Sequence, residues 1–172
     1  AAMEMTKWFD TNYHFLVPEI EATTNPSFSD QLFAQQILPE LDSKKQKFCL
    51  IGPVTFLALA KGEDSVDKYS IIEELTKAYT DLLKHIENLG YTNIQIEEPI
   101  LGSDLSDQDK SFFSSFYSKL SGKLNPATKT HLVTYFGNIE DNIDLISTAS
   151  FDSVHLDLIT DDSNLENIRK IN

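Results

Sequence analysis

Four histidines, the adjacent glutamates Glu97 and Glu98 and a single thiol stand out in this chain as groups able to move protons, bind a metal or attack a substrate. His14 stands close to Asp10, Asn12 and Tyr13, and an imidazole that titrates near neutrality could act there as a general base. Neither a nucleophile nor a metal-ligand pattern accompanies it, so the group reads first as a hydrogen-bonded network. Glu97 and Glu98 are neighbours, and in a strand they project to opposite faces. They therefore cannot work as a carboxylate dyad on one substrate. One of them, at a strand end before Pro99, could face a cavity. His155 and Asp157 share a strand face by their spacing, and with His131 and His14 they could supply a nitrogen and oxygen metal site. Cys49 reads as a small core residue, reactive only if exposed beside a cation.

The elements that must position these groups alternate in type. A buried strand from Phe48 ends at Gly52-Pro53. Ile71, Ile72, Leu75, Tyr79, Leu82, Leu83, Ile86 and Leu89 then recur on one helical stripe, with Gly90 placed as a C-terminal cap. Asn93 to Glu97 reads as a strand stopped by Pro99. Ser106 opens a helix with Asp109 three residues on, a partial capping box, and Phe112, Phe113, Phe116, Tyr117 and Leu120 form its buried stripe. Strands at 130–136 and 153–159 are each followed by a helix. An N-terminal strand within residues 6–19 and a helix over 29–38 complete the series. Five strands alternating with helices imply a parallel α/β sheet with right-handed crossovers.

The chain has 172 residues, 41% of them hydrophobic, so one domain with a sizeable core is expected. A formal charge of -13 argues against nucleic acid or an anionic membrane as partner. One cysteine excludes an internal disulfide and a thiolate-rich zinc site, and fits a reducing, cytoplasmic setting. No stretch approaches the ~18 apolar residues of a membrane span. Two architectures remain open from the residues alone. One is an internal piece of a (β/α)8 barrel, which needs roughly 250 residues when complete. The other is a complete five-stranded doubly wound sheet, although no glycine-rich phosphate loop follows any strand. A nucleophile elbow is also absent, which disfavours a hydrolase.

The run MTKWFDTNYHFLVPE at 5–19, LIGPVTFL at 50–57 and IQIEEPIL at 94–101 resemble, in order and spacing, the amino-terminal half of cobalamin-independent methionine synthase. VTYF at 133–136 and VHLDLI at 154–159 continue the likeness, while Glu97 departs from the Asp-Glu pair usual in that family. The resemblance implies two facing (β/α)8 barrels and methyl transfer from 5-methyltetrahydrofolate polyglutamate to homocysteine. It implies that residues 1–172 are a single partial domain, about strands three to seven of the first barrel, incomplete at both ends. Lys7 matches a family lysine that contacts the polyglutamate tail, and a mobile ammonium suits a row of carboxylates. No catalytic or metal-binding residue carries over. Zinc is implied in the missing C-terminal barrel, with no cofactor in this chain, which alone should be inactive. A stand-alone non-catalytic barrel-like binding module is the alternative. Truncation on both sides would leave two open sheet edges and uncover an inner face around Ile94, Ile96 or their neighbours, predicting self-association.

Overall fold

A computed structural model describes residues 3–31, 42–120 and 122–171. Its centre is a parallel sheet of β4 (Phe48–Ile51), β6 (Asn93–Glu97), β7 (Lys129–Val133) and β8 (Ser153–His155), in that spatial order. Among the described residues four strands, not five, make this sheet. The N-terminal run folds back on itself as an antiparallel hairpin of β1 (Met5–Lys7) and β2 (His14–Leu16), with Met5 opposite Leu16 and Lys7 opposite His14. Asp10, Thr11 and Asn12 are the cause: turn-forming residues interrupt the strand pattern. Thr11 Oγ1 donates to the Trp8 carbonyl at 2.6 Å, and Trp8 N donates to the Tyr13 carbonyl at 2.8 Å. β3 (Glu19–Ile20) then pairs in parallel with β5 (Lys61–Gly62), apart from the main sheet.

Among the described residues, five α-helices follow strands: α1 (Pro53–Leu59), α2 (Ile72–Asn88), α3 (Asp107–Leu120), α4 (Ile143–Thr148) and α5 (Asn164–Ile168). The expected helix over 29–38 lies largely outside the described residues. α3 begins as its residues require: Ser106 Oγ accepts from Asp109 N at 3.1 Å and donates to its carboxylate at 2.6 Å. α2 stops where Gly90 takes φ +90°, a conformation that side chains resist. α1 is unexpected from the apolar run; Pro53 at its first position is the local signal for it.

The helices cover one face of the sheet. Ile94, Ile96 and Leu132 are fully buried there against Leu57, Leu83, Ile86, Phe113 and Phe116. Burying each such side chain contributes about 1.5–3 kcal/mol before entropy is counted. Of the two alternatives for the uncovered inner face, Ile94 and Ile96 are excluded because both lie under helices, and their neighbours hold the open side. Strand alternation sends their neighbours to the other face, which carries Gln95, Glu97, His131, Ser153 and His155. This face is polar, unlike the doubly apolar central strands common in parallel sheets.

Candidate functional site

The hairpin meets the sheet where β6, β7 and β8 end. Tyr135 lies just beyond β7 and sets its ring against that of Phe136 at 4.7 Å. The Phe9 and Phe136 rings lie 6.1 Å apart, and Trp8 sets its edge against Phe9 and Phe15 at 5.2 and 5.4 Å. Phe9 and Phe136 hold φ at 50° and 66°, a left-handed backbone that aromatic residues seldom adopt. Such conformations persist only where the surroundings fix them. Lys7 precedes Trp8 on β1, exposed along with the rest of that strand. Its ammonium has no ion-pair partner among the described residues, so it is available to an external anion. His14, Asp10, Asn12 and Tyr13 are also exposed on the hairpin, Tyr13 at 78%.

Two hydrogen-bonded chains cross the polar face. Tyr135 donates to Glu97 Oε2 at 3.0 Å, and Gln95 Nε2 donates to Oε1 of the same carboxylate at 2.7 Å. Burial, then the Glu97 charge, pushes the Tyr135 phenol well above its ordinary value, so it remains a proton donor. Farther along, His131 joins Ser153 Oγ at 2.6 Å through Nδ1 and Asn93 Oδ1 at 3.1 Å through Nε2. Burial, followed by the nearby Lys47 ammonium, lowers the His131 pKa and favours the neutral ring. A shallow cavity of about 290 Å³ lies between Lys47, Gln95, His131, Ser153 and His155.

Glu98 turns the opposite way, as the alternation of adjacent residues requires. It is fully buried and accepts from Val54 N at 3.1 Å, Thr55 N at 2.6 Å and the Tyr117 hydroxyl at 2.6 Å. Desolvation raises its pKa, against the pull of those donors. Gly52 closes on it so tightly that a Cβ there would overlap the carboxylate. Glu98 thus satisfies the amides at the start of α1 and ties the 50–57 segment to the 94–101 segment.

The remaining candidates do not gather. Asp157 lies in the turn after β8, where Phe136 N, Ile159 N and Thr160 donate to it. The Thr160 hydroxyl and these amides hold its carboxyl far below the usual range. That saturation makes it a brace for two loops. Cys49 is exposed rather than in the core, because it falls on the open face at the sheet edge. Among the described residues no three His, Cys, Asp or Glu side chains form a group able to hold a metal ion. His131 already has both ring nitrogens engaged. These residues do not fit a zinc ion.

A family model described as the cobalamin-independent synthase N-terminal domain matches residues 1–172. The chain belongs to this family. Among curated proteins it is 38% identical, over 99% of its own length, to a 5-methyltetrahydropteroyltriglutamate–homocysteine methyltransferase from Buchnera aphidicola subsp. Cinara cedri. Proteins of the same name match it at 34% identity in Salinibacter ruber, over 96% of the chain, and at 38% in Coxiella burnetii, over 91%. The chain spans 20–22% of the length of these relatives. Family membership accounts for the motifs at 5–19, 50–57, 94–101 and 133–136, and the fold sets Phe9 beside Phe136 and Gly52 against Glu98. No helix among the described residues is long and apolar enough to cross a membrane.

Proposed function

We propose that this chain is part of the first (β/α)8 barrel of a cytoplasmic methyltransferase that makes methionine from homocysteine and 5-methyltetrahydrofolate polyglutamate. Its contribution is to scaffold that barrel and to bind the polyglutamate tail through Lys7. The observation that carries this reading is the exposed, unpaired Lys7 on a hairpin docked at the C-terminal ends of the strands. That is the end at which βα barrels hold their ligands. The chain's charge of -13 repels an anion at long range, so a tail is recognised by local placement of cations.

The chemistry of methyl transfer belongs elsewhere in the longer polypeptide. Activating homocysteine requires its thiolate, and zinc is the group that would supply it. The residues here offer no such ligand set, so we assign the metal to the second barrel. Exposed Tyr13, Phe136, Leu158 and Ile159, at the same end as Lys7, give that barrel an apolar surface to pack against.

The test is methionine formation from homocysteine and 5-methyltetrahydropteroyltriglutamate. A full-length polypeptide containing this chain is expected to turn over, and residues 1–172 alone are expected to give no methionine. Failure of the full-length protein would refute the assignment. Turnover by the chain alone would show that the chemistry had been put in the wrong part.

A further inference from the structure

The backbone hydrogen bonds of the β1–β2 hairpin fix which of its side chains are neighbours. Trp8 N donates to the Tyr13 carbonyl and Val17 N to the Glu4 carbonyl, each at 2.8 Å, so hydrogen-bonded pairs fall at Trp8/Tyr13 and Glu4/Val17. Alternation along the ladder then makes Lys7/His14 and Met5/Leu16 non-hydrogen-bonded pairs. Residues directly opposite have their Cβ atoms about 4.5–5.5 Å apart on one face, and pairs of this kind come closest. The other face carries Trp8 and Phe15, half-buried and edge to face at 5.4 Å. The Lys7 face is open to solvent. Lys7 and His14 are exposed there, and so are Met5 at 65% and Leu16 at 59%.

Among the described residues no hydrogen bond or ion pair engages the side chain of Lys7 or of His14. An ammonium can only donate, and an imidazole presents an N–H in either tautomer. Two donors rising side by side from one face converge on an acceptor, and a carboxylate has two oxygens to receive them. We infer that His14 is a second ligand of the folate tail, holding one carboxylate of a γ-linked glutamate between itself and Lys7. This assignment rests on the reading of Lys7 as a tail contact. The adjoining pair extends the fit. A γ-glutamyl residue carries its carboxylate next to two methylenes, and Met5 and Leu16 offer an apolar surface two residues along the strands, about 6.7 Å away. A small inorganic anion would leave those two side chains bare. Hairpin stability does not account for the pairing either, because two donors set opposite each other add no cross-strand attraction.

In the full-length protein, His14→Ala should raise KM for 5-methyltetrahydropteroyltriglutamate about two- to fivefold, the equivalent of one exposed hydrogen bond. The loss should be smaller with the monoglutamate form. His14→Gln keeps an N–H donor and should lose less than His14→Ala. Adding Lys7→Ala to His14→Ala should cost less than the product of the two single losses, since the two residues share one carboxylate. Trp8, the sole tryptophan of this chain, lies on the opposite face. In residues 1–172 its emission should therefore stay unmoved by either His14 variant, showing that the hairpin stands. Equal losses with triglutamate and monoglutamate in His14→Ala overturn the inference. So does a triglutamate KM unmoved in both His14 variants, and a tail-selective loss in Lys7→Ala would then keep the Lys7 reading standing. A shift of Trp8 emission in both variants gives His14 a structural role instead and overturns it as well. A tail-selective loss in His14→Ala, with binding indifferent to Lys7→Ala, supports His14 as a ligand and sinks only the reading of Lys7.

Discussion

Gly52→Ala is the substitution that most sharply probes how the two central motifs are joined. Gly52 has φ -71° and ψ 154°, a backbone that alanine adopts without strain. Any cost must therefore come from space. The added methyl would overlap Cδ and Oε1 of Glu98 and lie 2.6 Å from its Cγ, deep in the core. The carboxylate has to move, and it can move only by leaving donors at Val54 N, Thr55 N or the Tyr117 hydroxyl. Overpacking costs about 1–3 kcal/mol and a stranded buried donor about as much again, so the variant should lose about 2–6 kcal/mol. Urea unfolding followed by circular dichroism measures it. Glu98→Ala alone also destabilises, by leaving the same donors unpaired, but it makes room for the methyl. The double variant should therefore lose less than the sum of the singles. A loss below about 1 kcal/mol for Gly52→Ala, or strict additivity, would refute the proposed coupling.

Glu98 also predicts an unusual pH dependence. Its folded pKa lies above the ordinary value of 4.5, chiefly through burial, so the folded chain holds this proton more tightly than the unfolded chain. Its contribution is most favourable below pH 4.5 and declines as pH rises through the folded value. The stability difference between wild type and Glu98→Gln should therefore shift against the wild type over that rise, and a flat or opposite trend would contradict it. The isolated chain should self-associate through the unpaired edges of β4 and β8, with salt promoting association by screening a charge of -13. A monodisperse 19.5 kDa monomer in sedimentation at high salt would rule that out.

Local rules made much of the helical layer legible. The Ser106 and Asp109 pair, the aromatic stripe from Phe112 to Leu120 and the Gly90 cap each rest on interactions within one turn, and each stands in the structure. Opposite facing of Glu97 and Glu98 followed from alternation alone. What escaped depended on long-range context. The Asp10 to Asn12 turn makes a hairpin out of an apparent strand, and the signal for it was the cluster of turn residues. Burial of Glu98 required the Gly52 gap 46 positions away, where a glycine had read only as a strand end. Similarly, Phe9 and Phe136 are separated by most of the chain, and no pattern within either segment connects them.

Recognition of the folate tail by Lys7 is tested most directly by comparing two substrates in one variant of the full-length enzyme. Lys7→Ala should raise KM for 5-methyltetrahydropteroyltriglutamate by about two- to fivefold, as expected for an exposed charge contact. It should leave KM for the monoglutamate form and for homocysteine near wild type. An equal loss with monoglutamate and triglutamate would show that Lys7 does not read the tail.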